Sequence, residues 1–334
     1  MRVISQYTVN ENNAGPKAKV DVENILKNKY NAKIYTNNTY SGAENKFLFK
    51  LKKTIFSIKA LRTKDLVIIQ IPYSNKKNLL NLSHNKIGII HDVDGLRFND
   101  KELLIKEIKI YNQFKYLIVH NEIMKNKLVE NGLTCKTKNI ELFDYISKNK
   151  IKKKNNSFDM NNPIIGYPGN LEYRKAKFVY DLNEEKMGFS MNLYGGYFEK
   201  DKLKNKKIKY IGSFSPDEII DKMECDLGLV WSGNLDSSDE NNGEKGYNKY
   251  NTPHKLSCFL AAGIPVIIWN KSASSKIVNK YNVGYEISSL YDINNLDFTD
   301  YELKRKNAIF LAEKIRKGYF LSKALDEILK ELES

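Results

Sequence analysis

The chain has 334 residues, enough for two domains of ordinary size with well-filled cores. Hydrophobic residues make up 41% and aromatic residues 11%, which excludes a disordered chain. A net charge of +15 points to an anionic partner (nucleotide, nucleic acid or acidic membrane surface) or to nothing more than a Lys- and Asn-rich composition.

Strand-like and helical runs alternate from the start. Arg2–Ser5 reads as a strand, Pro16–Lys29 as a helix, Ala32–Thr36 as a strand and Lys46–Leu61 as a lysine-rich helix. Leu66–Ile71 is a buried strand ended by Pro72, and Ile87–His91 and Tyr116–His120 are two more. Lys101–Gln113 and Glu122–Asn131 have amphipathic helical spacing, the second stopped by Gly132. The polar stretch Ile151–Asn162 reads as a linker. A second series follows, with strands at Pro163–Tyr167, Ser190–Leu193, Lys207–Ile211, Asp226–Trp231 and Pro265–Trp269. Gly233–Tyr250 is a long polar loop, and Glu302–Leu332 is helical with a break at Gly318. Two series of βα units predict an α/β fold of two doubly wound parallel sheets, with ligands beyond the carboxyl ends of the strands. The expected domains are residues 1–155 and 156–316, with the helix at about 317–334 packing back on the first.

Cys135, Cys225 and Cys258 are widely spaced and show no CxxC or Cys/His metal pattern, which points to a reduced compartment. The first residues, MRVISQYTVN, are too short and polar for a signal peptide. No apolar run approaches the roughly 18–20 residues of a membrane span. The expectation is a cytoplasmic protein. Lysine-rich stretches at Lys50–Lys64 and Lys148–Lys154 read as solvated faces or as a peripheral contact for an anionic membrane.

The most informative stretch is Asn251–Trp269. Thr252 reads as an N-cap, Pro253 as the first helical residue, Gly263 as the stop and Ile264–Trp269 as a buried strand. His254 and Lys255 fall in the first turn, where cations oppose the helix dipole. That placement makes sense for an anion site. Gly169 and Asn170 follow the first strand of the second half, with Arg174 and Lys175 a few residues on, either as phosphate ligands or as a solvated helix start. Tyr194-Gly195-Gly196 and Gly212-Ser213-Phe214 follow the next strands, and Ser215–Glu218 has the form of a helix start. In the first half, Gly15, Pro16 and Lys17 precede a helix without GxGxxG spacing, as in an ordinary βα turn. His91-Asp92-Val93-Asp94 ends a strand and has three readings: a metal-holding Asp-x-Asp, a general base at His91 or Asp92, or a polar turn. His120 reads as a satisfied histidine, and no nucleic-acid-binding module is visible.

Together these motifs resemble the GT-B glycosyltransferases. They are most similar to the bacterial family containing the glucosyltransferase that extends O-linked N-acetylglucosamine on serine-rich repeat adhesins, and related galactofuranosyltransferases. The resemblance is carried in order by Ala14–Glu23, His91–Phe98, Val119–Leu133, Tyr167–Phe178, Tyr210–Ile219, Gly228–Gly233 and Asn251–Ile267. It implies two Rossmann-like domains facing a central cleft, a UDP-sugar donor and no metal or other cofactor. Arg174 and Lys255 would hold the diphosphate, with Gly169, Asn170, Asn251 and His254 around them. Gly212, Ser213 and Phe214 would lie near the base, and Gly15, Pro16 and Lys17 would close the site. His91 and Asp92 would face a glycan or glycoprotein acceptor. The resemblance also implies a homo-oligomer. The donor reads as glucose on an adhesin glycan, with a capsule or cell-wall hexosyl or galactofuranosyl transferase and a noncatalytic partner subunit as alternatives. The chain departs from the family pattern in lacking Glu-x7-Glu near Lys255 and in carrying Ser232 where some relatives carry Asp.

Overall fold

Apolar runs without polar alternation become strands buried on both faces. Val67–Ile71 (β3), Tyr116–Val119 (β5), Leu227–Val230 (β10) and Val266–Trp269 (β11) are buried at every residue. That is the pattern of a parallel sheet covered on both sides. The computed structural model describes residues 1–7, 15–38, 65–73, 85–149, 151, 158–236 and 246–334. The expected helix Lys46–Leu61 lies outside the described residues, as do parts of the 151–162 and 233–250 stretches.

The chain forms two compact units, residues 1–144 with 318–334, and residues 145–317. The first unit adds β1 (Arg2–Tyr7), β2 (Lys33–Asn38), β4 (Lys86–Ile90) and β6 (Lys136–Asn139), giving the parallel order β2-β1-β3-β4-β5-β6. Among the described residues, the helices that precede its C-terminal one are α1 (Lys17–Tyr30), α2 (Asp94–Arg97), α3 (Lys101–Tyr111) and α4 (Glu122–Glu130). The second unit adds β7 (Ile164–Pro168), β8 (Ser190–Tyr194), β9 (Ile208–Gly212) and β12 (Gly284–Ile287), in the order β12-β11-β10-β7-β8-β9. Helices α5 (Lys177–Asp181), α6 (Ile219–Lys222), α7 (His254–Ala261), α8 (Ser275–Tyr281) and α9 (Tyr301–Arg316) belong to it. This is the doubly wound order, in which the strand sequence reverses between β7 and β10. Its core gathers Ile165, Leu193, Leu229, Trp231, Ile267 and Trp269. No helix among the described residues is long and apolar enough to cross a membrane.

The long helical stretch at the C-terminus is two helices. α9 ends in the second unit, Gly318 turns the chain with φ +70°, and α10 (Tyr319–Glu333) returns to the first. A β-carbon at Gly318 would lie 2.6 Å from Ile25, so glycine serves both the backbone and the close approach to α1. Lys29 Nζ donates to Gly318 O and Ser322 Oγ, and Tyr30 donates to Asp326.

Gly318 supplies no side-chain cap to α10; Asp144 does so from a distance, accepting from Phe320 N at 3.1 Å and Leu321 N at 2.9 Å. Burial pushes its carboxyl from 3.8 up to about 7, against those two N–H groups and Lys29, with Asp21 adding to the rise. Asp21 is itself paired with Lys17. A raised native value means the folded state holds this proton more tightly than the unfolded chain. Its stabilising contribution is therefore complete below about pH 4 and lost as pH rises through about 7. Hydrogen-exchange protection of α10 should exceed that of Asp144→Asn by more at pH 5 than at pH 8. A margin that widens with pH would contradict this sign.

Candidate functional site

β7 is the strand at which the second sheet reverses, with β10 on one side and β8 on the other. Three neighbouring strands end in glycines with matching backbone: Gly169 (φ +154°), Gly195 (+145°) and Gly212 (+145°). Side chains disfavour this region. Gly169 N donates to Tyr194 O at 2.9 Å and Gly195 N to Gly212 O at 2.8 Å. Those N–H groups are thus occupied by the next strand end, so Gly169 offers open backbone surface and not a donor.

Lys255 stands at this row. Its Nζ lies 3.8 Å from the centre of the Tyr167 ring, and a β-carbon at Gly169 would sit 3.6 Å from it. It forms no ion pair among the described residues. Burial pulls its pKa from 10.5 down to about 7, with Cys258 acting weakly the other way. Burial raises the Tyr167 hydroxyl, so that ring stays neutral and offers only its π face. A desolvated ammonium in the first turn of α7, with no carboxylate paired to it among the described residues, is a candidate contact for an anionic ligand.

The start of α7 differs from the sequence expectation. Pro253 occupies the cap position with ψ 141°, so its extended backbone delays the helix to His254. Thr252 is buried and stands one residue before the cap position. The His254 ring stacks on Tyr145 at 4.9 Å and 19°. Asn251 Oδ1 is buried with no hydrogen-bond partner among the described residues.

Arg174 is exposed, in the turn after β7. Its charge acts on Glu199, whose carboxyl is held low first by Tyr173 N–H, then by Lys202, with Arg174 a smaller influence. No interaction joins Arg174 to Lys255 among the described residues. Asn170 Oδ1 accepts from Glu172 N at 2.8 Å, which shapes the loop. Phe214 folds over Gly212, its ring 3.2 Å from where a β-carbon would be, and Ser213 is exposed. Asn248 donates to Ser232 Oγ at 2.6 Å.

In the first unit, Gln70 organises the ends of the central strands. Its Nε2 donates to Ser5 Oγ and to the carbonyl of Lys19, which obliges Oε1 to accept. His91 Nε2 lies 2.7 Å from that oxygen and therefore carries the hydrogen. The His91 ring stacks on Phe143 at 5.1 Å. Asp92 faces Arg97 at 3.6 Å, and Glu107 accepts from Asp94 N and Gly95 N. Among the described residues no three His, Cys, Asp or Glu side chains converge as a metal-ligand set. His120 is buried, bonds Ile90 O at 3.1 Å and has its pKa pulled down to about 4 by burial, so it is a neutral core histidine.

Gly15 is exposed and Pro16 precedes α1. Lys17 does not present a free cation: it is buried, with Asp21 one helical turn on at 2.7 Å. The i,i+4 spacing in the sequence already held that pairing. Tyr167 and Gly195 were not singled out as site residues, because their roles arise only when β7 and β8 lie side by side.

The chain matches the N-terminal domain of the Glucosyltransferase 3-like family over residues 1–142 and its C-terminal domain over residues 165–328. It is 26% identical to the β-1,6-galactofuranosyltransferase WbbI of Escherichia coli, over 100% of both chains. It is also 26% identical to Glucosyltransferase 3 of Streptococcus gordonii, over 80% of each. In fold it is similar to Anabaena HepE, solved with UDP and glucose, at a TM-score of 0.62 and 12% identity over 99% of this chain and 100% of that one. Two doubly wound parallel sheets in one chain, with such neighbours, make the fold GT-B. The chain belongs to the Glucosyltransferase 3-like family.

Proposed function

We infer that the chain is a glycosyltransferase using a UDP-sugar, and we propose that it moves a hexose, with glucose favoured, onto a glycan acceptor. The observation that carries the reading is Lys255: a desolvated cation over Tyr167, at the strand-order reversal, with no ion-pair partner among the described residues. A leaving diphosphate supplies that anion, and its charge grows as the glycosidic bond breaks. Lys255 and the positive end of α7 then stabilise the transition state more than the ground state. Gly169 lets the diphosphate approach the backbone, and Asn251 brings an amide to the same helix start. Arg174 is the proposed second phosphate ligand, reaching the donor from its exposed turn. Gly212, Ser213 and Phe214 are proposed to border the base.

The first unit is proposed to handle the acceptor hydroxyl through His91 or Asp92. Galactofuranose is the alternative donor sugar, because the relatives carry both activities in their names. The acceptor is proposed to be a glycan of an adhesin or of a capsular or cell-wall polysaccharide. This reading places a homo-oligomeric enzyme in the cytoplasm.

The test is a thermal-shift panel of UDP, GDP, ADP, UDP-glucose, UDP-N-acetylglucosamine, UDP-galactopyranose and UDP-galactofuranose, with and without EDTA. A ligand that binds the folded state raises the midpoint according to its concentration and affinity. The expected result is an EDTA-insensitive shift with UDP and with one UDP-hexose. No shift with any nucleotide would move the reading to a noncatalytic partner subunit.

A further inference from the structure

We propose that Tyr197 and Tyr210 form a stacking platform for the pyranose rings of a glycan acceptor. The proposal rests on the transferase reading, since it names where that reaction's acceptor chain is held.

Tyr197 follows the Gly195-Gly196 pair and has φ +63°. For a bulky aromatic residue this left-handed backbone is a strained outlier. Its ring is 72% exposed and makes no hydrogen bond or ring contact among the described residues, so packing does not offset the strain. The surrounding loop is nevertheless firmly tied. Gly196 O accepts from Leu171 N at 2.9 Å. Glu199 Oε1 accepts from Tyr173 N at 2.7 Å, and Glu199 N donates to the Tyr180 hydroxyl at 3.2 Å. Strain held by an over-determined loop, with a bare ring as its only product, is the mark of a ligand contact.

A second exposed aromatic is tied to the same turn, fixed by different means. Tyr180, Phe198 and Tyr210 form a column with centroids 6.4 Å and 4.3 Å apart and planes within 17° and 12°. Tyr210 ends the column on β9, an edge strand, and is 40% exposed. Its hydroxyl donates to Gly195 O at 3.0 Å, which ties it to the turn that carries Tyr197.

The surroundings select the ligand. A pyranose presents a C–H face to an aromatic ring and hydroxyls around its rim. Glu199 and Lys202, paired at 2.9 Å, and exposed Lys200 supply polar groups in the segment that follows Tyr197. A protein interface would call for a larger unbroken apolar patch. A nucleobase would call for fixed groups to read its edge. The backbone groups of Gly195 are already taken, its N–H by Gly212 O and its carbonyl by Tyr210.

The test uses the full chain on an array of defined oligosaccharides, alongside Tyr197→Gly and Tyr210→Leu, with UDP thermal shifts as a parallel readout. Tyr197→Gly relieves the backbone, so its melting midpoint should equal or exceed that of the parent chain. Its apparent affinity for the retained glycans should fall at least tenfold while its UDP shift is unchanged. Tyr210→Leu, which keeps an apolar group against Phe198, should show the same loss. Equal retention by parent and variants, or no glycan retained by the parent, overturns the platform. A UDP shift lost in Tyr197→Gly would make the ring a nucleobase contact and overturn it too. A parent chain that retains glycans through these rings but shifts with no nucleotide would sink the UDP-sugar reading and leave the platform standing.

Discussion

Lys255→Ala is expected to abolish UDP binding in calorimetry and to lower turnover by at least ~10²–10³-fold, the range for removing one oriented charge-stabilising group. Arg174, the proposed second phosphate ligand, stands in an exposed turn and cannot supply the buried charge that Lys255 places over Tyr167. The lowered pKa of Lys255 gives the test a second arm. Near pH 7 the free protein holds this group as a mixture of ammonium and amine. A bound diphosphate favours the ammonium, so UDP binding should take up a proton around and above pH 7. Affinity should be full below about pH 7 and then fall by up to about tenfold per pH unit, until the pKa of the complex is passed. Calorimetry in buffers of different ionisation enthalpy measures that uptake directly. Lys255→Arg should bind without proton uptake, because guanidinium remains charged throughout. Parent-like activity in Lys255→Ala removes the residue from the mechanism. Parent-like affinity at pH 9 without uptake would mean that the ammonium is not desolvated as the structure places it.

Much of the fold was legible because its strands are buried on both faces. The apolar runs Leu66–Ile71 and Pro265–Trp269 lie where the structure has β3 and β11, within a residue at their ends. β6 was missed for the opposite reason. Lys136–Asn139 carries no apolar signal, and it is held by pairing with β5 and by Lys138 against Glu327 and Glu331 of α10. The Ser215–Glu218 signal formed a turn, with Glu218 accepting from Ser215 N and Oγ, but the helix beyond it lasts only from Ile219 to Lys222. Within the site, Lys255 was readable because a cation in the first helical turn is locally anomalous. Tyr167 was not, since a tyrosine in a buried strand resembles any core residue until α7 brings an ammonium over it. The glycine row was half visible: each glycine follows a strand, but only parallel pairing shows that the three stand side by side.

Gly195→Ala is expected to destabilise the second unit by roughly 3–5 kcal/mol, at the severe end of single substitutions. A β-carbon there would lie 1.8 Å from Gly169 O and 2.9 Å from Gly169 C. Neither side can yield cheaply, because the obstacle is backbone between two interior strands, each with its own ladder. The φ of +145° adds strain of its own. A loss of this size corresponds to a fall of roughly 10 °C or more in the unfolding midpoint. The chain's two tryptophans, Trp231 and Trp269, both lie in the second unit, so fluorescence excited selectively at tryptophan follows that unit alone. Gly196→Ala is the control. A β-carbon there would meet nothing closer than Ser213 Oγ at 3.9 Å, and its midpoint should stay near that of the parent chain. An equal fall in both variants would mean that the loop needs backbone freedom rather than contact. No fall in Gly195→Ala would mean that β7 and β8 do not approach as placed. The protein that remains folded carries the functional consequence. Relief of the clash must move Gly169 away from Gly195, and Gly169 is the surface on which Lys255 rests. UDP affinity should therefore fall in the folded fraction of Gly195→Ala, although residue 195 has neither a charge nor a free N–H to offer the ligand.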